Sequence, residues 1–147
     1  MRRFIAVFIF FVSVCMCCQQ AQALEAAVVR HDLSHAYEGT FNWHGETSTQ
    51  RVLITINQLS VDLNGNVVAA ATGEYKAAEG VAKIDVKLQI SPDSLRFEMW
   101  EMGPKRGAEF VSEGSHIGTI SEILKTINTV WTTKSTGKQG TLSLKAK

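Results

Sequence analysis

Between Ala82 and Ile90 every second side chain is apolar: Ala82, Ile84, Val86, Leu88 and Ile90, with Lys83, Asp85, Lys87 and Gln89 filling the gaps. Successive side chains of an extended strand point to opposite faces, so this pattern gives one apolar face and one charged face. The segment therefore requires a sheet that is packed on one side and wet on the other. Ser91-Pro92-Asp93-Ser94 ends it with turn chemistry, since proline presets its own φ and the flanking side chains can bond back to the main chain.

Other stretches follow the same period. Tyr37, Gly39, Phe41 and Trp43 share one phase, and Val52, Ile54 and Ile56 alternate with Leu53, Thr55 and Asn57. Asn64-Gly65 is a strong hairpin signal before a third strand through Tyr75. A fifth strand is expected from Leu95 to Met102, closed by Gly103-Pro104-Lys105-Arg106-Gly107. A sixth runs from Phe110 to Ile120 and carries Gly114 and Gly118. Ser121 to Lys125 has the character of one helical turn, Thr126 to Thr133 is the seventh strand and Gly140 to Ala146 the last. Eight short strands at hairpin spacing predict an all-β domain, either a closed barrel or a sandwich. Closure into an eight-stranded antiparallel up-and-down barrel removes the exposed edges, and eight strands leave room inside for one small ligand.

The start of the chain has a different character. Met1-Arg2-Arg3 precedes an uncharged, largely apolar run to Cys18, and Ala21-Gln22-Ala23 has the small-x-small pattern of a signal-peptidase site. This predicts a signal peptide over residues 1–23, a single domain over 24–147, and a secreted or periplasmic destination. The apolar run is shorter than the ~20 residues of a spanning helix, so no membrane span is expected. Cys15, Cys17 and Cys18 all fall in that leader, which leaves the domain without a thiol to cross-link or lipidate.

Loss of Arg2 and Arg3 leaves thirteen basic residues against fourteen acidic ones, a balance that gives no footprint for nucleic acid. No carboxylate follows Glu122, although Lys125, Lys134, Lys138, Lys145 and Lys147 do. That asymmetry reads as a solvated basic edge.

Several short sequences resemble the avidin and streptavidin family, exported eight-stranded barrels that bind biotin at one open end. They are Gly39-Thr40-Phe41, Thr72-Gly73-Glu74-Tyr75, Met99-Trp100 and Ile127-Asn128-Thr129-Val130-Trp131. The resemblance implies that Tyr75 turns its hydroxyl toward a ureido-like oxygen and that Trp100 and Trp131 wall the pocket. It also has gaps. Where the family places an asparagine after its first-strand aromatic there is Trp43, with Asn42 one step early and on the opposite face. Ala77 stands in place of a serine, and neither a later tryptophan nor a late carboxylate is present. Missing partners in a buried polar site cost about 1–3 kcal/mol each, so the implied site is a degenerate biotin site, with a changed ligand or none.

Other chemistry is sparse. His31 and His35 stand four apart, with His44 and Glu46 beyond, but in a segment read as a solvated lead-in to the first strand. Ser115 and His116 are neighbours on a strand and point to opposite faces. No catalytic residue, metal ligand or cofactor is expected. The expectation is a barrel using Tyr75, Trp100 and Trp131 to bind a small molecule of the biotin-like kind, with Asn42 and Trp43 at the corresponding first-strand positions. Homo-oligomers are compatible with it. The three tryptophans fit core filling as well as pocket lining. The rival reading is an interaction protein or enzyme inhibitor that works through its loops and N-terminal segment.

Overall fold

The computed structural model describes residues 25–78, 80–106, 114–121 and 124–147; the expected leader, the expected start of the sixth strand from Phe110 and part of the expected turn over 121–125 lie outside them. Eight strands follow one another: β1 Ala36–Trp43, β2 Thr49–Val61, β3 Val67–Ala77, β4 Gly80–Ser91, β5 Arg96–Arg106, β6 Gly114–Ile120, β7 Thr126–Thr133 and β8 Gln139–Ala146. Each pairs antiparallel with the next, and β1 pairs with β8 from Tyr37 opposite Ala146 to Trp43 opposite Gly140. The sheet is thus a closed up-and-down barrel with no free edge.

The period-two pattern decides which side chains turn inward. Ala82, Ile84, Val86, Leu88 and Ile90 of β4 are buried, and so are Val52, Ile54 and Ile56 of β2 and Val67, Ala69, Ala71 and Tyr75 of β3. β7 contributes Ile127, Thr129, Trp131 and Thr133, and β8 adds Leu142 and Leu144. Each fully buried Val, Leu or Ile is worth about 1.5–3 kcal/mol, and these residues form one continuous core. Gly39 and Gly118 sit where neighbouring strands come closest. A Cβ on either would collide with the backbone of β8 or β7 respectively.

Two local expectations are corrected. The segment before β1 is not a solvated lead-in. Residues 25–32 form a helix, α1, whose Ala26 and Val29 are buried together with Leu33 just beyond it. Those three positions lie one above another on a helix face, so a single apolar stripe anchors the element while its other side stays in water. The Gly103-Pro104 segment does not end β5, which continues to Arg106. Its register against β4 shifts between Ile84 and Val86, and Gly103 takes φ +95°. The glycine and proline mark a bulge in a longer strand.

α1 gives the barrel two unlike ends. Glu25 at its start lies beside Asn64–Asn66 and Ser91–Asp93, the turns after β2 and β4. Past its last turn, the Ser34 N–H donates to the Tyr37 hydroxyl, and that hydroxyl donates to the Leu124 carbonyl at 2.6 Å. The helix therefore crosses and closes the end where β1 begins. The opposite end, where the β1–β2, β3–β4 and β7–β8 connections lie, has no such plug among the described residues.

Candidate functional site

Four strands bring polar side chains into the unplugged half. On β3, Tyr75 continues the inward phase of Val67, Ala69 and Ala71; on β5, Glu101 continues that of Phe97 and Met99. His116 of β6 and Thr129 of β7 face them, both buried. Tyr75 donates its hydroxyl hydrogen to Glu101 Oε1 at 2.6 Å, and His116 Nε2 lies 3.1 Å from the same oxygen. His116 Nδ1 is 3.2 Å from Thr129 Oγ1.

With Glu101 ionised, Nε2 carries the hydrogen that its carboxylate accepts. Nδ1 of a neutral ring then accepts from the Thr129 hydroxyl, so both ring nitrogens and both hydroxyls have a defined role. The Glu101 and His116 side chains are only 3% and 1% exposed, and burial at that depth is tolerable only with such partners. Burial foremost, then the Glu101 charge and the bond to it, hold the Tyr75 phenol protonated well above the ordinary tyrosine value of 10.0.

Aromatic rings surround this cluster. Phe41 makes edge contacts with Trp43, Tyr75, His116 and Trp131, at centroid separations of 5.0, 6.4, 6.0 and 6.3 Å. Trp43 meets Trp131 edge-on at 4.9 Å. Such perpendicular packing sets the positive edge of one ring against the negative face of the next. Glycines make the room: a Cβ at position 140 would strike the Phe41 ring, and one at position 114 the Trp131 indole. Trp131 is 2% exposed, and its Nε1 is a buried N–H with no hydrogen-bond partner among the described residues.

At the mouth, two connections are tied together. Lys138, between β7 and β8, forms an ion pair with Glu46, between β1 and β2, and its Nζ lies 4.2 Å above the centre of the Trp43 ring. The bond to Lys138 is the main reason the Glu46 carboxyl titrates below its ordinary range. His44 reinforces the tie through its N–H to the Gln139 carbonyl and its Nε2 to Thr141 Oγ1 at 2.8 Å.

The residues expected at a site separate into two sets. Trp43, Tyr75 and Trp131 converge around Phe41, whereas Trp100 and Asn42 stand on the outer wall. Trp100 lies between inward-facing Met99 and Glu101, with Lys87 Nζ 5.9 Å from its ring centre, and Asn42 accepts a bond from Thr49 at 2.7 Å. Glu101 and His116 were missed, although phase marks both: Glu101 follows Phe97 and Met99 at spacing two, and His116 sits at spacing two from Gly114 and Gly118.

His31 pairs with Asp32 in exposed α1, whereas His44 belongs to the opposite end. Among the described residues, no group of three or more potential metal ligands converges, and no helix is long and apolar enough to cross a membrane. A groove of about 500 Å³ on the outer wall is lined by residues of both charges, including Glu38, Arg51, Glu74, Lys76 and Lys145. When the chain is set against known proteins, no family model matches it and no curated protein matches it.

Proposed function

We propose that this chain is an exported binding protein that holds a small molecule at the unplugged end of its barrel, among Trp43, Trp131, Phe41, Tyr75, Glu101 and His116. The observation that carries the reading is the Trp131 indole N–H. A buried donor without a partner costs about 1–3 kcal/mol, and an acceptor on a ligand would recover that cost in a setting of rings and a few fixed polar groups, the usual make-up of small-ligand sites. The avidin-like sequence fragments and the closed eight-stranded barrel support the same placement. Biotin itself fits less well, because the hydroxyl hydrogen that Tyr75 would offer to a ureido oxygen is directed at Glu101. We read the Glu101–His116 pair as ligand-holding rather than catalytic, since each is engaged by the other and by a hydroxyl.

The test is a fluorescence titration of the protein lacking residues 1–23 against small ring compounds, biotin analogues included. Saturable changes are expected, abolished in Trp131→Phe and retained in Trp100→Phe, whose ring lies outside. A flat response across the panel, or equal loss in both variants, would refute the proposed site.

A further inference from the structure

We infer that the ligand is a compact organic cation, an ammonium compound carrying an oxygen acceptor; this rests on the binding role proposed above and names its ligand class. Charge is the first ground. Among the residues whose side chains are described, the lysines and arginines are exposed, and Glu101 is the only buried carboxylate. Among those residues, the interior of the half away from α1 holds a carboxylate and no lysine or arginine.

The rings are the second ground. Phe41, Trp43 and Trp131 are packed mutually edge-on, and the faces of such rings carry the negative lobes that attract ammonium groups.

The third ground is that the protein already sets an ammonium there. Lys138 Nζ lies over Trp43 and is paired with Glu46 across the mouth. An incoming ammonium of similar size would displace the Lys138 head from the Trp43 face and inherit that ring and the Glu46 carboxylate, with the buried Glu101 charge adding a longer-range attraction. Lys138 is then an internal competitor whose side chain, 46% exposed, can withdraw into water. The unpartnered Trp131 N–H supplies the remaining requirement, since a cation alone offers it nothing, whereas a hydroxyl, ether or carbonyl oxygen on the same molecule accepts its hydrogen.

The experiment compares matched pairs by calorimetry and tryptophan fluorescence. One pair is choline and its uncharged isostere with a tert-butyl group in place of the trimethylammonium; the other is phenethylamine and phenethyl alcohol. The cations are expected to bind at least ~10-fold tighter than their neutral partners, and Lys138→Met to tighten cation binding by about 3- to 10-fold. Glu101→Gln is expected to weaken it by ~10-fold or more, with its melting curve recorded beside it. Lys138 is exposed, so its variant and the wild-type comparison decide the matter even where Glu101→Gln does not fold. Neutral isosteres that bind as tightly as the cations, or cation affinity unmoved by Lys138→Met, would overturn the cation assignment and leave the binding site standing. Absence of binding by these pairs and by the wider ring-compound panel would overturn both.

Discussion

Replacing Tyr75 by phenylalanine removes one hydroxyl and leaves the ring, which isolates the bond to Glu101. Two consequences follow, with opposite dependence on pH. At neutral pH the carboxylate loses a donor in a buried place, and hydrogen bonds to charged groups are worth about 1.5–3 kcal/mol. For a domain of this size that corresponds to a melting temperature lower by roughly 5–10 °C.

Alkaline pH adds the second consequence. The folded phenol stays protonated well above 10.0, for burial and the Glu101 charge both oppose the phenolate, whereas an unfolded tyrosine ionises near 10. Above that value the folded state binds the extra proton, so stability falls as pH rises, by at most about 1.4 kcal/mol per pH unit for this group. The stabilising effect is complete below the unfolded pKa and is lost as pH climbs toward the folded one. Phenylalanine has no such dependence.

Wild type should therefore exceed Tyr75→Phe by about 2 kcal/mol at pH ~7, and the gap should close over one to two pH units above ~10. Urea denaturation followed by far-ultraviolet circular dichroism at a series of pH values measures this. Tyr37, whose phenol is also raised by burial, and the lysines titrate in both proteins and cancel in the difference. Curves that remain parallel from pH ~7 to ~11.5 would refute the reasoning, because they would mean that the Tyr75 proton is held no more tightly in the folded protein than in the unfolded chain.

Two further predictions concern packing. Gly140→Val places carbon atoms where the Phe41 ring lies and should destabilise by about 1–3 kcal/mol with a shift in tryptophan emission; unchanged denaturation and emission would show that the rings are loosely held. Leu33→Ala should cost about 2–5 kcal/mol in the same urea assay if α1 is part of the core, and a loss below ~0.5 kcal/mol would show that the helix does not anchor the closed end.

The strands were legible because burial in a barrel is a local property of phase: a side chain faces in or out according to whether its position is odd or even. β7 was read at its observed bounds, Thr126 to Thr133, and the inward face of β4 was read residue by residue. α1 was not, since its three apolar anchors, Ala26, Val29 and Leu33, are spread over only two turns and gain their stability from the barrel end beneath them rather than from their own sequence. The β5 boundary failed for a related reason. Gly103-Pro104 carries the chemistry of a turn, but whether such residues turn the chain or bulge it depends on the partner strand.

The site was half legible. Reading Trp100 by family likeness overrode its own phase, which sets it opposite Met99 and Glu101. Glu101 carries a charge that by itself suggests surface, and only its phase with Phe97 and Met99 marks it as inward-facing. The period-two rule that places the core applies to polar residues as strictly as to apolar ones, and it places this carboxylate too.

That the buried polar residues gather toward one end bears on function. Among the described residues Glu101, His116, Thr129 and Thr133 are the buried polar or charged ones; β5 supplies Glu101, and β6 sets His116 beside Trp131 of β7. The plugged half is aliphatic or aromatic: Val67, Ile90, Phe97, Ile120, Leu124, Ile127 and Leu144. Stability gives no reason for this division, since replacing a buried charged pair by well-packed apolar residues is often neutral or stabilising by about 1–4 kcal/mol. A barrel selected only to remain folded could be filled with aliphatic residues from end to end. Keeping a carboxylate, an imidazole and an indole N–H without a partner among the described residues beside Phe41 and Trp43 is better accounted for by something that enters there than by anything the fold itself requires.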